Sequence, residues 1–162
     1  MGDKIEVLCI KFILLIFSIN FIGCATLKEK QEKDIMKYVR NNFKNIDPWK
    51  ESCIFIISEN GCMNCNREMS RVARQFIDMN DIYFIINANA GGRIVDISPY
   101  WEAKNQEQIS FDTLDYFNNH NLKSSYAVFI NDDAIDTILE ATADKFYDKA
   151  HYIENRIIES RK

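Results

Sequence analysis

The sequence predicts an α/β fold with a central sheet of about four strands flanked by helices and an extra helix at the N-terminal end. Continuous apolar runs rich in Ile, Val and Phe are typical of strands covered on both faces, and they occur at residues 53–57, 82–86 and 126–130. Between them, apolar residues recur every three or four positions, which is the spacing of amphipathic helices. The motif Cys62-Met63-Asn64-Cys65 joins the first strand to the next helix and marks a candidate site.

The first half of the domain predicts the order helix, strand, helix, strand. The first helix ends at Asp47-Pro48, because proline lacks the N–H that would continue it. Its apolar stripe consists of Ile35, Met36, Val39, Phe43 and Ile46. After the strand at 53–57, a second helix is expected from about Cys62 to Asn80. Its apolar stripe consists of Met69, Val72, Ala73, Phe76 and Ile77.

The second half predicts a short helix, a β-hairpin and a closing helix. Asn87 to Ile109 has no clear periodicity, because glycine and proline interrupt it. Ser110 is expected to cap a helix through Asn119 that buries Phe111, Leu114 and Phe117. The runs 126–130 and 134–139 flank the turn Asn131-Asp132-Asp133 and predict a hairpin. The closing helix has the apolar stripe Phe146, Ala150, Ile153 and Ile157.

Cys62 and Cys65 stand where a strand ends and a helix begins. This position puts the first sulfur over the free N–H groups of the helix, where the macrodipole favours a thiolate, the nucleophilic form. The pattern therefore predicts thiol–disulfide chemistry. A zinc site would need two further ligands, and the two histidines, His120 and His151, lie far apart in sequence. A c-type haem would need His at the position of Asn66, so we expect no metal and no cofactor.

The N-terminus carries a second signal. Residues 10–22 are almost wholly apolar, too short for a comfortable membrane span but suited to the apolar part of a secretory signal. The run ends in Phe21-Ile22-Gly23-Cys24-Ala25, which resembles the lipobox of bacterial lipoproteins. The resemblance implies cleavage before Cys24 and a diacylglycerol on its sulfur. The alternative is an uncleaved N-terminal anchor helix.

These observations divide the chain into a signal peptide (residues 1–23), a tether (24–34) and one domain (35–162). We expect a protein of the bacterial cell envelope, anchored to the membrane by lipid on Cys24 and facing the periplasm, where disulfides persist. Its partners would then be protein thiols or disulfides outside the cytoplasm. The formal net charge of −4 argues against nucleic acid as a partner. Cys53, inside the first strand, is expected to be inert core.

The element order and the CxxC motif resemble the thioredoxin fold over about Asp47 to Lys162. The resemblance implies that the first two core strands are parallel and that the CxxC lies at the C-terminal end of the first. It also implies that Cys62 attacks a substrate disulfide and that Cys65 resolves the mixed disulfide. The exterior location favours a reductase. The alternative is a non-catalytic binding or scaffold lipoprotein in which Cys62–Cys65 is a structural disulfide.

Two residues depart from the family. Gly61 stands where an aromatic residue is usual, and Ser125 stands where the family has a cis-proline that orients the substrate backbone. The peptide bond at Ser125 is expected to be trans, because a non-proline cis bond costs about 2.5–4 kcal/mol.

The stretch from Gly91 to Gln108 is longer than most connections in compact domains. It would leave the sheet at the strand end that carries the CxxC, and it contains Tyr100 and Trp101, side chains of the type that anchor peptides. With Ser125 and Tyr126, they are the candidate substrate-binding residues. The alternative is that the stretch covers an exposed sheet edge with Ile94, Val95, Ile97 and Trp101.

Overall fold

The computed structural model describes residues 28–43, 51–87, 95–132, 134–144 and 146–161. The predictions for the signal peptide, for Cys24 and for the helix end at Asp47-Pro48 lie outside these residues. The chain divides into two compact units, residues 1–38 and 39–162. Among the described helices, none combines the length and the apolar character needed to cross a lipid bilayer.

The first helix, α1, covers residues 28–42. In the first unit its opening turns are polar and carry an i,i+4 ion pair between Lys28 and Glu32 at 3.7 Å. Residues 28–34, predicted as a tether, are thus helical. In the second unit, Val39 and Phe43 are buried, and the Phe43 ring meets the Tyr83 ring edge-on with centroids 5.4 Å apart.

The second unit is built on a mixed five-stranded sheet with the strand order β3-β2-β1-β4-β5. The strands β1, β2 and β3 are parallel, whereas β4 runs antiparallel to both β1 and β5. The predicted hairpin is β4–β5. The strands are β1 (Ser52–Ser58), β2 (Ile82–Asn87), β3 (Ile109–Phe111), β4 (Tyr126–Asn131) and β5 (Ala134–Glu140). The helices are α2 (Met63–Arg74), α3 (Ser98–Glu102), α4 (Tyr116–Asn119) and α5 (Phe146–Glu159).

The main core lies between the sheet and helices α2 and α5. All residues of β1 are buried, and its Phe55 ring stacks between Phe84 and Phe76 with centroid distances of 5.9 and 6.4 Å. Burial of such aromatic and aliphatic side chains is the main favourable term in folding. The predicted stripe of α5 is confirmed, because its buried residues are Phe146, Ala150, Ile153 and Ile157.

The predicted helix from Ser110 to Asn119 is wrong in its first part: a helix, α4, covers only Tyr116–Asn119, and its Phe117 is buried as expected. Residues Ile109–Phe111 instead form β3 at the edge of the sheet, so the sheet has five strands rather than about four. The helix begins late, after the N-cap residue Asp115, and the Asp112 carboxylate accepts the Tyr116 and Phe117 N–H groups, each at 3.0 Å. Leu114, expected to be buried, is 84% exposed in the turn before α4.

The second predicted helix is shorter than expected. It ends at Arg74, and the backbone bonds then tighten to three-residue spacing, as in Gln75 N–H to Val72 C=O at 3.1 Å. Phe76 remains buried in the resulting turns. In the stretch from Asn87 to Ile109, the short helix α3 has Pro99 in its first turn. The N–H groups of a first turn have no partner within the helix, so proline is tolerated there.

The packing of α5 gives a stability prediction. Ile153 is fully buried and Ile158, on the same helix, is 51% exposed. We expect Ile153→Ala to lower the free energy of unfolding by about 2–5 kcal/mol, because it leaves a cavity in the core. Ile158→Ala should change it by less than about 0.5 kcal/mol. Urea unfolding followed by far-ultraviolet circular dichroism measures both, and equal losses would contradict the core assignment.

Candidate functional site

Cys62 and Cys65 lie at the C-terminal end of β1, on the first turn of α2. Their sulfurs are bonded, with S–S 2.13 Å and Cα–Cα 5.3 Å. Cys62 is the N-cap residue of α2, and its sulfur accepts the Cys65 N–H at 3.4 Å. The first turn of α2 contains no acidic residue, so no carboxylate there offsets the positive end of the helix dipole. Cys62 is partly exposed, whereas Cys65 is 4% exposed.

Gly61 lets a second backbone segment approach the motif closely. Its φ is +82°, a left-handed conformation that side chains disfavour and glycine adopts readily. A Cβ on Gly61 would lie 3.3 Å from the Lys123 carbonyl oxygen and 3.5 Å from Ser124 Oγ. The segment 123–125, which precedes β4, therefore lies directly against the residue before Cys62.

Ser125 is fully buried at the end of this segment and bonds to three elements. Its N–H donates to Asn66 Oδ1 at 3.0 Å, its hydroxyl accepts the Ser58 N–H at 2.9 Å, and its carbonyl accepts the Ala141 N–H at 2.8 Å. The described residues contain no cis peptide bond, in agreement with the expected trans bond at Ser125. The Ser125 N–H, which a proline would lack, is thus a hydrogen-bond donor within the site.

Asn66 and Asn60 complete the network. The Asn66 carboxamide, fully buried, donates to the Asn60 carbonyl on its other side. Asn60 also donates its N–H to Ser58 Oγ at 3.0 Å and its Nδ2 to Asn118 Oδ1 at 2.9 Å. The sequence carries one signal for Asn66: it stands at the helical spacing of Met69, Ala73 and Phe76, where an apolar residue is expected.

The remaining candidate substrate-binding residues differ in exposure. Tyr100 is fully buried, its hydroxyl 3.1 Å from Ser70 Oγ and its ring 5.6 Å from that of Phe84. Burial raises the pKa of Tyr100 to about 12. Tyr126 is also buried, and burial raises its pKa to about 12. Trp101 is 60% exposed and stacks on Phe111 of the edge strand β3 at 3.8 Å.

Among the described residues, Cys53 and His120 have contacts of their own. Cys53 is buried near the opposite end of β1, and burial strongly raises the pKa of its thiol. His120 Nδ1 lies 2.7 Å from the Tyr116 carbonyl oxygen, and its ring stacks on the Tyr116 ring at 4.0 Å. Within the described ranges, no three side chains of His, Cys, Asp or Glu converge as a metal site requires.

Burial of Cys53 predicts that folding protects its thiol from alkylation. With iodoacetamide at pH 8, the folded chain should leave Cys53 unmodified, because the reagent needs an exposed thiolate. After unfolding in guanidinium chloride, the same thiol should react completely. Peptide mass mapping identifies the site of each modification, and ready alkylation of Cys53 in the folded chain would contradict its assignment to the core.

Comparison with known proteins gives no relative from which a role could be transferred. No protein-family model, no curated protein and no solved structure matches the chain.

Proposed function

We propose that the protein is a thioredoxin-like thiol–disulfide oxidoreductase that exchanges disulfides through Cys62 and Cys65. The observation that carries this proposal is the asymmetry of the pair at the start of α2: the first sulfur is partly exposed and the second is buried. An attacking thiolate must reach its substrate, whereas a resolving thiol must only reach its neighbour. The parallel β1–β2 pair and the terminal β4–β5 hairpin also agree with the thioredoxin resemblance.

In the favoured reductive direction, the Cys62 thiolate attacks one sulfur of a substrate disulfide. A mixed disulfide forms, and the other substrate sulfur leaves as a thiolate. The Cys65 thiolate then attacks the Cys62 sulfur, which restores the Cys62–Cys65 disulfide and releases the second substrate thiolate. The substrate gains two electrons and the protein dithiol loses two. A thiol reductant must regenerate the dithiol. The helix dipole favours the thiolate form of Cys62 in the first step.

A second candidate function is non-catalytic binding, with Cys62–Cys65 as a structural disulfide. Ser125 favours this second function. The thioredoxin family orients the substrate backbone with a cis-proline at this position, whereas Ser125 is fully buried and its N–H donates to Asn66. Trp101, which lies in α3 and is exposed beside the edge strand β3, is a candidate partner contact under either function, since exposed aromatic residues frequently anchor partners.

We further propose that the domain is held on the outer side of a bacterial membrane by lipid on Cys24. The support is the apolar run that ends in Gly23-Cys24. A lipid-anchored position outside the cytoplasm would give the protein access to substrate disulfides, which are rare in the reducing cytosol.

The exchange reaction is tested by reduction of insulin disulfides with dithiothreitol. The wild-type chain should accelerate the precipitation of the released B chain, and Cys62→Ser should return it to the uncatalysed rate, because the attacking sulfur is gone. Cys53→Ser is the matched control, since it removes a thiol outside the site and should retain the wild-type rate. Equal rates for wild type and Cys62→Ser would end the enzyme proposal and favour binding.

Lipid attachment is tested separately in cells fed a clickable fatty acid. The wild-type chain should incorporate the label and shift to the membrane fraction, whereas Cys24→Ser should not be labelled, because the acceptor sulfur is absent. Cys9→Ser, within the predicted signal peptide, is the control and should leave labelling unchanged. Undiminished labelling of Cys24→Ser would show that the lipid is elsewhere.

A further inference from the structure

We propose that Asn66 is a positioning residue for this exchange, in that its carboxamide clamps the two backbone segments that border Cys62. The inference rests on the proposed function, because it assigns the clamp to the same cysteine pair. One segment is Asn60-Gly61, which leads into the motif. The other is 123–125, which lies against Gly61.

The geometry joins Asn66 to both segments and to the cysteine itself. Its Oδ1 accepts the Ser125 N–H at 3.0 Å, and its Nδ2 donates to the Asn60 carbonyl. Its own N–H donates to the Cys62 carbonyl at 2.9 Å. One residue, next in sequence to Cys65, therefore contacts Asn60, Cys62 and Ser125.

Burial makes these bonds consequential. Asn66 and Ser125 are both fully buried, so removal of the carboxamide would leave the Ser125 N–H without that partner in a place with little access to water. A buried polar group that loses its partner incurs its full desolvation cost. The backbone is then expected to shift until the N–H and the Asn60 carbonyl find other partners. That shift would move the approach to Cys62.

The position of these segments affects the chemistry in two ways. The segment 123–125 packs against Gly61, the residue before Cys62. Its position therefore determines how much space a substrate disulfide has to approach Cys62. The Asn60-Gly61 segment holds Cys62 at the helix N-cap, within reach of Cys65. A looser segment lowers the effective concentration of one thiol at the other, which makes the disulfide easier to reduce.

The first test is the equilibrium between the Cys62–Cys65 dithiol and disulfide in glutathione buffers, read by alkylation and mass mapping of the full chain. For Asn66→Ala we expect the disulfide-forming equilibrium constant to fall about tenfold, which for a two-electron couple is about 30 mV toward a more oxidising potential. Ser70→Ala is the control, because it removes a buried side-chain hydrogen bond of the same helix, to Tyr100, away from both segments. It should lower the melting temperature without changing the equilibrium.

An Asn66→Ala chain that melts earlier and keeps the wild-type equilibrium would overturn the proposal, because the residue would then be structural only. If Asn66→Ala does not fold, Asn66→Ser takes its place, since its uncharged hydroxyl can pair with one segment but is too short to bridge both. It should give a smaller shift in the same direction, and an unchanged equilibrium would again overturn the proposal.

The second test is a double-mutant cycle with Ser125→Pro, which removes the N–H bound by Asn66. Ser125→Ala serves as the control for loss of the hydroxyl. We expect Ser125→Pro to disturb the equilibrium less in the Asn66→Ala background than in wild type, whereas Ser125→Ala should have the same effect in both. Additive effects of Asn66→Ala and Ser125→Pro would contradict the clamp.

These measurements need no substrate protein, so they separate the two proposals. If the wild-type chain does not catalyse insulin reduction but Asn66→Ala shifts the equilibrium as expected, the positioning role of Asn66 is supported and the enzymatic function is contradicted. If the wild-type chain catalyses reduction but Asn66→Ala leaves the equilibrium unchanged, the enzymatic function is supported and the positioning role of Asn66 is contradicted.

Discussion

Burial of β1 on both faces is the constraint on which the rest of the second unit depends. The strand pairs in parallel with β2 and antiparallel with β4, so its backbone groups are satisfied within the sheet, and all its side chains are buried. A slip by one residue would exchange the side chains of its two buried faces, so each would have to fit a space packed for a different side chain. The register places Ser58 at the end of β1. It thereby also fixes where the residues that lead to Cys62 begin.

The candidate site is assembled by hydrogen bonds where the apolar core ends. Ser58, Asn60, Asn66 and Ser125 each bond to a residue on another element or loop. Together these bonds connect the ends of β1, α2 and α4 to the segment before β4. Polar networks of this type are stable in low-dielectric surroundings only when each buried member is paired. Gly61 contributes through the absence of a side chain, which allows the Lys123 carbonyl to approach closely.

The same physical terms give the three cysteines of the described chain different properties. Burial raises the pKa of Cys53 and keeps it a small apolar residue. Cys62 lies at the positive end of a helix and is partly exposed, which favours its thiolate when the disulfide is open. Cys65 lies within the first turn of the helix and is buried, so the two sulfurs of the motif differ in position on the helix and in access.

Four features can be predicted from the sequence alone: the α/β class, most strands, the apolar faces of α2 and α5, and the location of the cysteine motif at a strand–helix junction. These features are local, because apolar period and turn residues are read within a short window. The sequence did not determine β3 or the start of α4. Ile109–Phe111 is a strand because it pairs with β2, and α4 begins only at Tyr116, where the Asp112 carboxylate accepts the Tyr116 and Phe117 N–H groups.

The hydrogen bonds that hold the site depend on how the elements pack in three dimensions. Asn66 and Ser125 lie far apart in sequence, and neither has a local pattern that predicts their hydrogen bond. The burial of Tyr100 was equally hidden, since the same side chain suits a surface contact or a core with a hydroxyl partner, and here Ser70 supplies that partner. The physical reason is that sequence patterns report which face of an element is apolar, whereas partners across the fold depend on how the elements pack.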